Sequence, residues 1–212
     1  MNSHHIRFNF VFPRSYEAKV LESYSLVNPA EKLHHFPAVL DEGDRSGIYV
    51  RVVPQQAPQK PDSQKADSWI GFFALGFESE HAARGLYSCP DPDSLCVVVG
   101  GYAYLVNTLA PDRWMQLEQR PVMDVRPVPE FKLLIFVGAT TISAVGESGW
   151  LWTTGRLSWE GISISEIKQH VLHGAGWDAL KDKEVPFEVD LTTGLHTGGT
   201  HPALQNPEAQ KS

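Results

Sequence analysis

The chain has little cysteine, with only Cys89 and Cys96 among its 212 residues. An extracellular domain could join the two across the turn at residues 90–94. Nothing in the sequence indicates export, so we expect two buried, reduced thiols in strands. Residues 1–7 show no basic segment followed by an apolar one, so no secretory signal peptide is expected.

Clusters of basic residues and long apolar runs are also missing. The 18 Lys and Arg residues are outnumbered by 25 Asp and Glu residues, which gives a net charge of −7. Nucleic acids and anionic membranes are therefore not expected as partners, because both require clustered positive charge. No apolar run approaches the length of a membrane span. A hydrophobic content of 42% is enough for a core, so we expect a soluble cytoplasmic protein.

A sequence motif repeats three times at a spacing of 38 residues. Residues 95–100 (LCVVVG) are matched by residues 133–138 (LLIFVG) and, more loosely, by residues 171–176 (VLHGAG). Trp114 and Trp152 follow the first two copies at the same offset. A repeated supersecondary unit is typical of strands that stack to share a core.

The repeats predict a mainly β protein built from antiparallel four-stranded meanders, either propeller-blade-like or packed as a sandwich. The predicted strands are residues 86–89, 95–99, 102–107 and 114–117, then 124–128, 133–137, 140–145 and 150–154, then 162–167, 170–176 and 185–191. In the third copy we expect the last two strands to be shortened or fused. A propeller needs at least about four blades. N-terminal strands could supply the missing sheet, the sheets could pack as a sandwich, or several copies could close the structure.

The chain divides into four parts on the same evidence. Residues 1–53 form an N-terminal segment that packs on the repeats, residues 54–68 a flexible loop, residues 69–194 the repeated core and residues 195–212 a loose tail. Strands are predicted at 6–12, 48–53 and 69–77, and the first is a candidate to cover a sheet edge. Two or three short helices are predicted at 15–24, 28–35 and 79–85, from capping residues and a closing glycine.

Nine histidines raise the question of a metal site. His196 and His201 share a glycine-rich loop with Asp190 nearby, and these three residues are the best available ligand set. Zinc requires three or four convergent ligands, and this spacing matches no standard site. We therefore assign no metal ligand and no cofactor, and we interpret the histidines as solvated loop residues.

Motifs for nucleophilic catalysis are absent from the sequence. The run Gly146-Glu147-Ser148-Gly149-Trp150 resembles a nucleophile elbow, but Trp150 stands where that motif requires glycine. A turn between two strands explains this run. Cys96 lies in an apolar run that disfavours a thiolate. We assign no catalytic residue.

Four tryptophans lie close together between residues 150 and 177. The repeat predicts that Trp152, like Trp114, is a core residue, and Trp150 is expected on the same strand face as Trp152. Trp159 and Trp177 fit a core position and an exposed one equally well. An exposed tryptophan would be a suitable contact for a protein partner.

Several segments of the repeated region also carry a resemblance. They are Pro90-Asp91-Pro92, Leu95-Cys96-Val97-Val98, Gly100-Gly101-Tyr102, Val185-Pro186-Phe187, Val189-Asp190-Leu191 and Thr193-Gly194. On these residues, the segment from about 85 to 199 resembles a family of uncharacterised bacterial proteins. The resemblance implies the repeat architecture and, since no function is known for that family, no functional residue.

These observations support three hypotheses about function. The first is a non-enzymatic, soluble module that binds a protein partner or regulates it, and its acidic charge would suit a basic target. The second is a metal-dependent hydrolase that uses Asp190, His196 and His201. The third is one subunit of a larger closed assembly.

Replacing both histidines by alanine, as His196→Ala with His201→Ala, tests the hydrolase hypothesis. The hydrolase hypothesis predicts a loss of bound metal and of activity while the fold, followed by circular dichroism, stays intact. Metal content measured by mass spectrometry that is the same before and after the change would remove the motivation for that hypothesis.

Overall fold

The computed structural model describes residues 6–22, 31–37, 46–55 and 68–200, and these residues form seventeen strands in four sheets. Sheet I contains β2 (Tyr16–Leu21), β3 (Lys32–Phe36), β4 (Gly47–Pro54) and β5 (Trp69–Ala74). Sheet II contains β1 (Arg7–Asn9), β6 (Gly85–Ser88), β7 (Ser94–Val99), β8 (Tyr102–Asn107) and β9 (Trp114–Gln116). Sheet III contains β10 (Val122–Val128), β11 (Leu133–Gly138), β12 (Ile142–Gly146) and β13 (Gly149–Thr153). Sheet IV contains β14 (Ile162–Lys168), β15 (Val171–Asp178), β16 (Lys183–Asp190) and β17 (His196–Gly198).

The prediction of a mainly β protein with repeated four-stranded antiparallel meanders is confirmed. β6–β9, β10–β13 and β14–β17 are three successive meanders, and a 3₁₀ turn at Pro129–Phe131 lies between β10 and β11. The third copy differs from expectation because its last two strands are separate. β16 pairs with β15 on one side and with β17 on the other, where Val189 lies opposite His196.

Sheet I is not a meander, and its strands follow the order β2-β4-β5-β3. β3 runs parallel to β5, while the other pairs in this sheet are antiparallel. Sheet I is the additional sheet that, by one of the predicted alternatives, the N-terminal strands would supply. Three hydrophobic clusters of described residues join the sheets in the sequence I, II, III, IV.

The predicted N-terminal helices are wrong within the described residues. Residues 15–22 contain β2, whose Tyr16, Ala18 and Val20 pack into the core while Glu17 and Lys19 are exposed. That two-residue period belongs to a strand, and pairing with β4 stabilises it. The second predicted helix lies partly outside the described residues, and its described end forms β3. In the third predicted helix, residues 79–82 form a single turn, with the Ala82 N–H donating to the Ser79 carbonyl at 3.3 Å, and Gly85 begins β6.

The N-terminal strand covers one edge of sheet II, as its sequence predicted. β1 pairs in parallel with β6, with Arg7 opposite Gly85. The strand is shorter than predicted, and its side chains do not share one buried face. Phe8 is 54% exposed, whereas Phe10 packs between sheets I and II and Phe12 lies in the cluster between sheets II and III.

Hydrophobic clusters fill the three spaces between consecutive sheets. Cluster I/II contains Tyr16, Phe36, Val50, Val52, Trp69, Phe73, Leu86, Leu95, Val97, Val99, Tyr104 and Val106. Cluster II/III contains Phe12, Tyr87, Cys89, Cys96, Val98, Ala103, Leu105, Leu117, Val122, Val125, Leu134, Phe136 and Val145. Cluster III/IV contains Val128, Leu133, Ile135, Val137, Ile142, Ala144, Trp152, Leu157, Leu172, Phe187, Val189 and Leu191. Sheets II and III are therefore buried on both faces.

Equivalent residues of the repeat face in opposite directions in sheets II and III. Leu95 and Leu133 are equivalent by the repeat spacing, but Leu95 packs toward sheet I and Leu133 toward sheet IV. Their chain neighbours Cys96 and Leu134 meet in cluster II/III. Successive rotation about one axis, as in a propeller, would turn equivalent residues the same way. Sheets II and III instead pack through equivalent faces, so a propeller arrangement is not confirmed.

Two buried tryptophans tie neighbouring sheets together by hydrogen bonds. The indole N–H of Trp69 in β5 donates to the Thr108 carbonyl after β8 at 2.9 Å. The indole N–H of Trp152 in β13 donates to the Leu191 carbonyl after β16 at 3.1 Å. Both side chains also lie in the clusters that these bonds span. Each tryptophan thus joins two sheets by packing and by a polar contact.

Replacing these tryptophans by phenylalanine is expected to destabilise the fold. Trp69→Phe and Trp152→Phe each leave a buried carbonyl without its donor and remove buried volume, so each should lower the free energy of unfolding by about 2 kcal/mol. Trp150→Phe, at a position that is 42% exposed, should cost about 0.5 kcal/mol or less. Urea unfolding followed by circular dichroism measures all three, and equal losses would contradict the assigned roles.

Candidate functional site

Two of the three predicted hydrolase residues, Asp190 and His196, lie at the ends of β16 and β17, on either side of the turn that joins them. Asp190 accepts hydrogen bonds at Oδ1 from the backbone N–H groups of Thr192 and Thr193, at 2.8 and 3.0 Å. Its Oδ2 lies 3.7 Å from Nε2 of His170. These contacts hold the pKa of Asp190 below its usual value, although burial opposes the shift. The carboxylate is therefore engaged in closing the turn.

His196 lies on the other face of this hairpin. It stands opposite Val189, whose side chain packs in cluster III/IV, and it is 5% exposed and lies against Gly155. Burial lowers the pKa of His196, and a hydrogen bond with the Gly198 backbone offsets part of this shift. Asp190 follows Val189 along β16, so its side chain and that of His196 point to opposite faces.

His201 falls outside the described residues, so its position relative to Asp190 and His196 stays a prediction. Within the described ranges, no three His, Cys, Asp or Glu side chains lie close enough together to hold a metal ion. The two described members of the predicted set, Asp190 and His196, are not brought together.

The other two candidates for chemistry also have structural roles. Cys89 and Cys96 are free and buried, and burial raises the pKa of both thiols well above its usual value, so both stay neutral. The elbow-like run is the tight turn between β12 and β13. Its Glu147 forms a 2.8 Å ion pair with Lys132 on the surface of sheet III.

Four of the tryptophans fall into two groups by exposure. Trp152 is buried, at 3% exposure, and Trp114 packs half-buried on cluster I/II. Trp159 and Trp177 are 40% and 36% exposed. The guanidinium of Arg156 lies over the Trp159 ring, 4.6 Å from its centroid, in cation–π contact.

A β-bulge turns Trp150 away from the face where the sequence placed it. Trp152 pairs with Ala144, but Trp150 pairs with Val145, so Leu151 has no opposing residue on β12. Val145 faces sheet II, and Trp150 therefore faces that side as well. The indole N–H of Trp150 donates to Oγ1 of Thr153 at 3.3 Å. The prediction that Trp150 and Trp152 share one face is wrong.

A groove of about 330 Å³ opens between sheets II and III, beside β9 and the β12–β13 hairpin. The apolar side chains that line it are Cys89, Leu105, Trp114, Met115 and Val145. The polar ones are Asp91, Ser94, Asn107, Arg113, Glu147 and Ser148. Gly146 and Gly149 complete the lining. The groove has an apolar floor and a polar rim, which is the usual arrangement of a binding surface.

Most polar groups on the rim are already bound to other groups of the chain. Asp91 accepts from Ser94 Oγ at 2.6 Å and from the Asp93 N–H at 3.1 Å. The side-chain oxygen of Asn107 accepts from the Ala110 N–H at 2.9 Å. These hydrogen bonds within the chain hold the shape of the rim.

Three large apolar side chains are exposed on β9 and β13, the strands that border this groove. Met115 on β9 is 37% exposed, and Trp150 and Leu151 on β13 are each 42% exposed. Trp150 lies opposite Val145, which lines the groove, whereas Leu151 lies against Gly146, the next residue of β12, on the other face of the sheet. We refer to Met115, Trp150, Leu151 and the groove as the edge surface. Met115 and Leu151 were not predicted as exposed contact residues, although the run of uncharged residues from 149 to 155 is visible in the sequence.

No family model matches the sequence, and no curated protein shows significant similarity to it. The resemblance to a bacterial family therefore stays a prediction. In the part of the chain that the structure describes, no helix is long and apolar enough to cross a membrane.

The buried His196 predicts how stability depends on pH. Unfolded histidine takes up a proton near pH 6.5, and folded His196 does so at lower pH because burial disfavours its charged form. The unfolded state then binds more protons, so the free energy of unfolding should fall as pH falls through 6.5. Burial also lowers the pKa of His34, which should add to the same decrease in the free energy of unfolding.

Urea unfolding at a series of pH values between about 8 and 5 measures this dependence. His196→Leu should flatten the decrease below pH 6.5, and the exposed-site control His81→Gln should keep it. A decrease of the same size in His196→Leu and in the native chain would contradict the role assigned to His196.

Proposed function

We propose that the protein is a non-enzymatic, soluble, cytoplasmic module that binds another protein chain through the edge surface. The observation that carries the proposal is the exposure of Met115, Trp150 and Leu151 on β9 and β13, the two strands that border the groove between sheets II and III. Two free, buried cysteines suit a reducing compartment.

The chemistry of the edge surface favours a protein partner. Single exposed apolar residues are normal on any surface, but neighbouring ones beside a groove are typical of protein contacts. Tryptophan and methionine are enriched at such contacts, and tryptophan often contributes much of the binding energy. The polar rim would surround an apolar centre, with the Asp91 carboxylate hydrogen-bonded to Ser94 and Glu147 ion-paired with Lys132.

The alternative of a metal-dependent hydrolase has less support. Asp190 and His196 point to opposite faces of the β16–β17 hairpin, and Asp190 is engaged with Thr192 and Thr193. Nothing in their geometry favours a shared ion. We therefore propose binding, and not hydrolysis, as the function.

A photoreactive amino acid placed at position 151 tests the proposal. In a lysate of the cells that produce the protein, illumination should give a covalent adduct with a protein chain, because Leu151 lies in the proposed contact. The matched control is the same amino acid at Leu180, which is 86% exposed in the turn after β15.

A second change distinguishes specific from chance contact. Trp150→Lys in the same chain should abolish the adduct at position 151, since it places a charge in the apolar centre. Equal adducts at 151 and 180, an adduct that survives Trp150→Lys, or no adduct at 151 would each contradict the proposal.

A further inference from the structure

We propose that the partner at the edge surface is a second copy of this chain, joined through antiparallel pairing of β13 with β13 of the other copy. This inference rests on the proposed function, because it names the partner of the same surface. The pairing would extend sheet III into one sheet that runs through both copies, related by a two-fold axis.

The edge strands of the four sheets differ in how they are protected. An unpaired strand edge exposes backbone N–H and C=O groups, and charged side chains along it discourage pairing with other chains. Among the described edge strands of five or more residues, four carry charges and β13 carries none. The charged residues are Glu17 and Lys19 in β2, Lys32 in β3, Asp124 and Arg126 in β10, and Glu166 and Lys168 in β14.

β13 also carries two large apolar side chains in solvent, whereas the edge strands β1 and β9 carry one each, Phe8 and Met115. Trp150 and Leu151 are each 42% exposed, and the bulge leaves Leu151 without an opposing residue on β12. An uncharged, apolar and exposed edge is the kind that pairs with another strand.

The charge of the strand points to a second copy as the occupant. The complement of an uncharged apolar strand is another uncharged apolar strand, and β13 of a second copy has this chemistry. Both copies carry a net charge of −7 and would repel each other, but no charged residue lies on β13. Glu147, beside the strand, is already paired with Lys132 at 2.8 Å, so no unpaired carboxylate would be brought opposite another.

Antiparallel pairing of two identical strands centres on their middle residue. In Gly149–Thr153 that residue is Leu151, which would lie opposite Leu151 of the second copy. Gly149 lines the groove, so the added strand would run beside the mouth of the groove. Because the two-fold axis passes between the two Leu151 residues, a substitution at position 151 changes both sides of this contact.

Sedimentation velocity over about a hundredfold range of protein concentration tests the inference. The native chain should approach twice its monomer mass of 23.6 kDa as concentration rises. Leu151→Lys should raise the dissociation constant by about tenfold or more, since two like charges would meet across the axis. Leu180→Lys, the same change at another exposed leucine, should leave the dissociation constant unchanged.

A cysteine at position 151 provides a second test that does not depend on affinity. Opposed residues of antiparallel strands are close enough for a disulfide, so Leu151→Cys should form a covalent dimer on mild oxidation. Leu180→Cys should form no covalent dimer. The native Cys89 and Cys96 are buried and should not form one either.

The outcomes separate this inference from the proposed function. A native chain that is monomeric at every concentration, with a photo-adduct from position 151 to a different protein, would overturn the inference and leave the function standing. A monomer without such an adduct would overturn both. A dimer that survives Leu151→Lys and forms no disulfide through Leu151→Cys would show that the copies meet elsewhere and would overturn the inference.

Discussion

Strands that are buried on both faces are the constraint on which this structure depends. Successive side chains of a strand point to opposite faces, so a central strand must supply two cores at once. β7 places Leu95, Val97 and Val99 in cluster I/II and Cys96 and Val98 in cluster II/III. β11 does the same for clusters II/III and III/IV. A register shift of one residue in either strand would exchange the contents of two clusters, so the register is firmly fixed.

The same constraint limits where the protein can bind anything. Sheets II and III have no free face, because the neighbouring sheets cover both sides of each. Their accessible backbone lies at their edges. β1 covers one edge of sheet II, and charged residues protect β10 in sheet III. β13 and β9 carry no charged residue, and the only protection of β13 is its bulge at Leu151, so the burial of the faces and the distribution of charge both point to the edge surface.

The repeated strands could be predicted from the sequence because their apolar runs and glycines follow a fixed spacing. The N-terminal part could not, since residues 15–22 combine a capping serine with an alternating pattern that only pairing with β4 resolves. The extra strand β17 was missed because its three residues are held by pairing with β16 and have little strand character of their own. The face of Trp150 depends on a bulge, and two-residue counting from Trp152 gives the opposite face. The edge surface was visible as a missing charge, but it gained meaning only once β13 was known to lie at an edge.

Backbone amide hydrogen exchange of β13, measured at a low and a high protein concentration, tests the central claim most directly. About half of the N–H groups of an edge strand point away from the sheet and exchange rapidly unless another strand pairs with them. The account predicts that exchange within Gly149–Thr153 slows as concentration rises, while exchange in the charged edge strands β10 and β14 does not change. Rapid exchange of the outward amides of β13 at both concentrations would contradict it.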